Sequence, residues 1–224
     1  MSGTKKLPIF EHDGEPIPGL PAVLPEGEVI LWQGAPRWGG IARRALHLRG
    51  LALYFAFIGV LRGTAMAAEG ASTLDATLGG LLMLLVGAVP IGLLAGFAIL
   101  SAKTSLYTIT NRRVVMRVGV ALPMTISLPF ALMQSAGVVK HSDGTGDISM
   151  TLAAPHRVAW IAIWPHTKSF RVARPEPTLR ALADADQAAQ ILARALAAHA
   201  AMPVPAMAAD SNRQTARPGA AALA

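Results

Sequence analysis

Cysteine is absent from all 224 residues, which excludes disulfides, thiolate nucleophiles and Cys-ligated zinc or iron–sulfur centres. Charge is scarce as well. Only 15% of residues are charged against 53% hydrophobic, with a mean hydropathy of +0.45. That is too apolar for an ordinary soluble domain and too polar for a chain made of membrane spans alone. One membrane unit plus one domain of roughly 100 residues fits. Lys5 and Lys6 are followed by Leu7-Pro8-Ile9-Phe10-Glu11-His12-Asp13, which has no apolar core, so these residues are not expected to act as a secretory signal. The first span is therefore expected to act as its own uncleaved insertion signal.

Against these absences stands one long apolar run. Residues 78–102 contain 25 positions without an ionisable side chain, about 37 Å of helix against a hydrocarbon core of about 30 Å. Residues 50–68 form a second candidate span, broken only by Arg62. The connection between them carries Glu69 and Asp75 but no Lys or Arg. Arg37, Arg43, Arg44 and Arg49 precede the first span, and Lys103, Arg112, Arg113 and Arg117 follow the second. The positive-inside rule then places both termini in the cytoplasm of a bacterial inner membrane and the acidic connection outside. Arg62 is expected to snorkel to the far interface, or to pair with Glu69 or with a partner protein. Pro90 is expected to kink the second span. Small residues recur at Gly59, Gly63 and Ala67 and again at Ala88, Gly92 and Gly96. Such stripes let helices approach closely, either the two spans or a foreign helix or a second copy.

The domain organisation read from the pattern has four parts. Residues 1–48 are a cytoplasmic arm with five prolines in its first 28 positions; a short strand is expected at residues 28–33, and an interfacial helix, or simply a basic flank, at residues 36–48. Residues 49–102 are the transmembrane hairpin. Residues 103–200 form a β domain with period-two strands at 105–110, 114–118, 125–128, 137–140, 148–153, 158–164 and 169–172, followed by one amphipathic helix. Asp184 is its expected N-cap, with Gln187 three residues on, and Ile191, Leu192, Ala195 and Leu196 form its apolar stripe. Residues 201–224, rich in Ala and Pro, are an expected disordered tail. The fold class is thus membrane α + β: a two-helix hairpin, then a pleckstrin-homology-like barrel capped by a C-terminal helix.

Chemistry is thinly represented. Each of the six histidines is expected in a solvated turn or at the surface, His166 included. His141 with Asp143 falls short of the three or four ligands that a metal needs. Gly144-Thr145-Gly146 is a turn rather than a phosphate loop, since neither a following Lys nor a helix accompanies it. No serine-nucleophile signature occurs. The chain is therefore read as a non-enzyme without metal or other cofactor. The net charge of +7 falls mostly after the second span, where residues 103–224 hold thirteen Lys/Arg and six Asp/Glu. This suits an anionic bilayer; no nucleic-acid motif accompanies it, so nucleic acid is not an expected partner. Arg112, Arg113 and Arg117, with Arg43 and Arg44, are the candidate contacts for lipid phosphate or for acidic loops of partner proteins. Alternatively they fix topology and rest in solvent. Trp160 and Trp164, four apart on an expected strand, serve either the core or the interface.

Several motifs carry a resemblance. Tyr107-Thr108-Ile109-Thr110-Asn111-Arg112-Arg113-Val114-Val115 resembles the opening hairpin of bacterial pleckstrin-homology-like domains that follow a two-helix membrane hairpin. Pro16-Ile17-Pro18-Gly19-Leu20-Pro21, Leu31-Trp32-Gln33-Gly34, Ala121-Leu122-Pro123 and Trp164-Pro165-His166, in that order and spacing, are similar to photosynthetic-complex assembly proteins of the PuhB type, over roughly residues 10–200. The resemblance implies a non-enzymatic scaffold for the photosynthetic reaction centre and its core antenna. Reaction-centre subunits and other assembly factors would then be its partners, and a homodimer is possible. A generic lipid-binding adaptor without a tie to photosynthesis is the alternative. Neither span contains a histidine, so intramembrane ligation of bacteriochlorophyll magnesium by imidazole is not expected; only His47 stands near the interface.

Overall fold

The computed structural model describes residues 19–20, 22–156, 158–168 and 174–201. In chain order these form β1 (Ile30–Gly34), the single turn α1 (Trp38–Gly40), a π-helical turn (Ile41–Ala45), and the long helices α2 (Leu48–Ala68) and α3 (Thr73–Thr104). Strands β2 (Leu106–Thr110), β3 (Arg113–Val118) and β4 (Met124–Pro129) follow. After a 3-10 turn (Phe130–Leu132) come β5 (Met133–Lys140), β6 (Gly146–Leu152), the turn α4 (Trp160–Ile163), β7 (Thr178–Leu182) and α5 (Ala185–Ala200).

Helices α2 and α3 are both long and apolar enough to cross a membrane. α2 begins two residues before the expected first span and ends with it at Ala68, whereas α3 extends the expected second span at both ends, so the connection shrinks to four residues, 69–72. Ser72 caps α3 by accepting the Asp75 backbone N–H at 3.2 Å. The helix runs without a break through Pro90. The first stripe of small residues is what lets the two helices touch. A Cβ on Gly59 would lie 3.0 Å from the Gly80 carbonyl oxygen, one on Gly63 3.1 Å from that of Ala76, and one on Gly80 2.8 Å from that of Gly59. The second stripe faces away: a Cβ on Gly92 or Gly96 would meet nothing within 4 Å, and Ala88 is exposed. Arg62 is also exposed, and no ion pair between Arg62 and Glu69 forms among the described residues.

The hairpin is not a prefix to the β domain; it interrupts it. β1, which precedes α2, pairs antiparallel with β2, which follows α3, in the register Trp32↔Ile109, Gln33↔Thr108 and Gly34↔Tyr107. The sheet order is β1-β2-β3-β4, with a second sheet β5-β6-β7. A domain boundary at residue 103 therefore leaves out the first strand. Both sheets turn their apolar faces inward on Trp32, Tyr107, Ile109, Met116, Ile148, Met150 and Leu179, and α5 closes the open end with Ala188, Leu192 and Ala195. This is the helix-capped, two-sheet barrel that the pattern predicts.

Three elements depart from expectation. Residues 158–164 are a loop containing the turn α4 instead of a strand. Residues 169–172 lie outside the described residues, as do residues 1–18 of the arm and 202–224 of the tail. The last strand is β7, which period-two reading misses because all five of its residues are buried, Arg180 among them. At α5 the expected capping contact is not made: the Asp184 carboxylate instead accepts the indole N–H of Trp32 at 2.8 Å.

Candidate functional site at the root of the hairpin

Four segments converge where the helices leave the barrel. The first is the approach to α2. Arg37 donates its backbone N–H to the Ala181 carbonyl at 2.9 Å. Gly40 then packs against the Ala181 methyl group so closely that a Cβ there would collide with it. Ile41 and Ala42 bury themselves against Ala98 and Ala102 of α3. The segment expected as an interfacial helix or a basic flank thus turns its apolar side onto α3, and Trp38 stays largely exposed. His47, exposed and left-handed at φ +53°, breaks the chain direction before α2 begins.

The second segment is the turn between β5 and β6. Arg43 reaches the Asp143 carboxylate at 2.5 Å and Arg44 reaches it at 2.9 Å. Arg44 also donates to the Thr145 hydroxyl at 2.8 Å and lies 3.7 Å from Asp147. The Thr145 hydroxyl and backbone N–H, helped by Arg44, hold the Asp143 carboxyl far below the usual range. Two arginines expected as headgroup or partner contacts thus tie the approach to α2 to the β5–β6 turn.

The third and fourth segments meet at His166, which is fully buried. Its Nδ1 lies 2.6 Å from the Tyr107 hydroxyl and its Nε2 lies 3.0 Å from Ser105 Oγ and 3.3 Å from Ser101 Oγ. Tyr107 also accepts a long hydrogen bond from the Arg180 backbone N–H at 3.4 Å. If its single hydroxyl hydrogen goes to Nδ1, the Nε2–H is left to donate to Ser105, and the chain of donors is satisfied by a neutral imidazole. Burial, with a smaller contribution from the Arg180 charge, pushes the His166 pKa down to about 3. Burial likewise raises the Tyr107 hydroxyl above its ordinary value and lowers Arg180, which donates through Nε and Nη2 to the Thr167 carbonyl. The expectation of a solvated His166 fails here. The signal lay in Ser101 and Ser105: two hydroxyls four residues apart at the end of an apolar run can converge on one buried polar partner.

The arginines after α3 do not assemble into a patch. Arg113 donates to Glu28 through Nε at 2.8 Å and Nη2 at 3.0 Å, and Glu28 also accepts from Thr110 at 2.8 Å. Arg117 is buried and Arg112 is exposed. Arg112 and Arg113 stand at the β2–β3 turn, the end of β2 away from α3, about 17 Å along the strand at ~3.4 Å per residue. The expected shared surface beside the span is corrected accordingly. Trp160 and Trp164 sit on the α4 turn, with ring centroids 6.2 Å apart. Trp164 stacks on Phe97 of α3 at 5.5 Å, so neither tryptophan belongs to the barrel core.

Higher on the hairpin, small residues of both helices, including Gly59, Gly63, Ala76 and Gly80, line an open apolar cleft of about 840 Å³. Among the described residues no three His, Asp or Glu side chains converge as a metal site.

A relative described as an uncharacterized 23.7 kDa protein in the puhA 5′ region of Rhodobacter capsulatus is 34% identical over 186 residues, covering 83% of this chain and 87% of that protein. No solved structure matches. The family model for the bacterial PH domain matches residues 54–196, more than half of the chain and most of the hairpin and barrel described above. This protein belongs to the bacterial PH domain family.

Proposed function

We propose that this protein is a non-enzymatic assembly factor for the photosynthetic reaction centre and its core antenna, embedded in the bacterial inner membrane with both termini in the cytoplasm. The observation that carries this reading is the way the hairpin is built into the barrel. β1 and β2 pair across the two helices, and the root is held by the Arg43/Arg44–Asp143 latch and by the buried His166 cluster. A domain fixed in this manner is a platform with a set orientation to the bilayer, suited to holding newly inserted subunits in register. The second stripe, Ala88, Gly92 and the half-buried Gly96, faces away from α2 and gives client helices a close approach.

The tie to photosynthesis rests on the resemblance to PuhB-type proteins. It is supported by the relative from Rhodobacter capsulatus, whose description places it in the puhA 5′ region. The generic lipid-adaptor reading draws less support, because Arg43, Arg44 and Arg113 already engage carboxylates. Deletion of the gene, followed by absorption spectra and immunoblots of reaction-centre subunits in phototrophic membranes, tests the proposal. Lower reaction-centre content and slower assembly, restored by the gene in trans, are expected. Unchanged levels and rates would remove it.

A further inference from the structure

Residues 158–164, Val158-Ala159-Trp160-Ile161-Ala162-Ile163-Trp164, form an uncharged stretch between β6 and β7. Only Ile163 among them is buried; Ile161 is 82% exposed and Trp164 38%. Two anchors fix where this exposed apolar turn stands. The Trp164 ring stacks on Phe97 of α3, with centroids 5.5 Å apart and planes 23° apart. Two residues later, His166 is buried and bonded to Ser101 and Ser105 at the end of the same helix.

Phe97 lies six residues before Lys103, the first cation after the apolar run. At ~1.5 Å per residue this is about 9 Å toward the hairpin tip. A ring stacked at that level stands beside the acyl boundary of a bilayer that α3 crosses. Tryptophan and isoleucine on an exposed turn suit that layer, where an apolar body is accommodated and the indole N–H still finds water or headgroup oxygen. Lys168, just beyond the turn, is paired with Glu176 at 3.4 Å, so the contact expected here is apolar and not one of charge. The sheet topology brings a second apolar turn to the same end of the barrel. Leu106, two residues after α3, pairs with Arg117, and the β3–β4 turn that follows carries Leu122, 82% exposed, and leads into Met124, the exposed first residue of β4.

We propose that the 158–164 turn inserts into the interfacial layer of the bilayer, a third membrane contact that holds the barrel in one orientation against the lipid. The proposal rests on the reading of α2 and α3 as membrane spans. The absence of cysteine permits a direct test. Ile161→Cys is introduced into the full chain, labelled with a nitroxide and reconstituted in phosphatidylcholine–phosphatidylglycerol vesicles. Its accessibility to oxygen and to a water-soluble nickel chelate is then measured. Leu93→Cys, on the exposed side of α3, reports the spans; Ala131→Cys, in the exposed turn after β4, reports water. Ala159→Cys repeats the measurement on the same turn.

An oxygen-to-nickel ratio at residues 159 and 161 severalfold above that at residue 131 is expected, approaching that at residue 93. Ratios at 159 and 161 equal to that at 131, with residue 93 still in lipid, would overturn the insertion alone. A watery residue 93 would overturn the span reading and the insertion with it.

Discussion

Trp32 donates its indole N–H to the Asp184 carboxylate at 2.8 Å, joining the strand before the helical hairpin to the start of the helix that closes the barrel 152 residues later. The bond explains why the leader segment belongs to the fold. Trp32 is 7% exposed and packs in the same core as Leu192. Trp32→Ala should cost about 3–5 kcal/mol through the lost ring. Asp184→Ala should cost about 1–3 kcal/mol, the penalty of an indole N–H left without its acceptor. Trp32→Phe should reproduce most of the Asp184→Ala loss, and the double variant Trp32→Phe/Asp184→Ala should add little to it. Denaturant unfolding of the detergent-solubilised chain, followed by circular dichroism, checks this; additive losses would show that the two residues act separately.

Glu28 and Arg113 make a second tie between the leader and the barrel, and their burial is unequal. The Glu28 side chain is 2% exposed and that of Arg113 28%. Removing the arginine strands a buried carboxylate, whereas removing the carboxylate leaves a guanidinium that can turn to water. Arg113→Ala should therefore destabilise more than Glu28→Ala. About 3 kcal/mol is expected for the former, at the low end for a broken buried pair because Arg113 is partly wet. The same unfolding measurement ranks the two; the reverse order would contradict this account of the pair.

The glycines of the hairpin divide into two sets with opposite predictions. A Cβ on Gly80 would press on the Gly59 carbonyl oxygen at 2.8 Å, and one on Gly59 would lie 3.0 Å from that of Gly80. Gly80→Leu and Gly59→Leu should separate α2 from α3. Gly92→Ala and Gly96→Ala meet open space and should leave the pairing intact. Cysteine cross-linking between residues 56 and 84, across the cleft that both line, distinguishes them: efficiency should fall in the first pair of variants and stay at the parental level in the second. If client helices use the outer stripe, Gly92→Leu should lower reaction-centre assembly with no loss of cross-linking.

Much of this architecture is legible in the sequence because its signals are local. The 25-residue apolar run gives α3, and the apolar stripe at Ile191, Leu192, Ala195 and Leu196 gives α5. The short strand before Gly34 was also readable, yet its partner was not. Pairing of β1 with β2 spans more than 70 residues, and nothing local to either strand encodes it. β7 was hidden for a different reason: a strand buried on both faces shows no alternation. The 158–164 segment is a short continuous apolar run that reads like a buried strand but is turned by the contacts of Trp164 and His166 with α3. The arginines were visible as charges; their roles depended on Asp143 and Glu28, which are 99 and 85 residues distant from Arg44 and Arg113.

His166 makes the root of the hairpin sensitive to acid. In the folded chain its pKa is pushed down to about 3 by burial, whereas an unfolded imidazole titrates near 6.5. Between these values the unfolded state binds a proton that the folded state refuses. The contribution of the neutral, bonded His166 is therefore complete above about pH 6.5 and declines as the pH falls toward 3, by about 1.4 kcal/mol per pH unit. At pH 5 the loss is about 2 kcal/mol. His166→Gln should lower stability at pH 7, since a glutamine amide replaces only part of the bonding to Tyr107 and Ser105, but it should flatten the decline between pH 7 and pH 5. The difference between parent and variant isolates this group from the carboxylates, which titrate in both. Hydrogen exchange of the Tyr107 and Arg180 backbone amides, followed from pH 7 to pH 5 and corrected for intrinsic rates, reports the junction locally. Protection that falls with pH equally in the parent and the variant would remove His166 as the source.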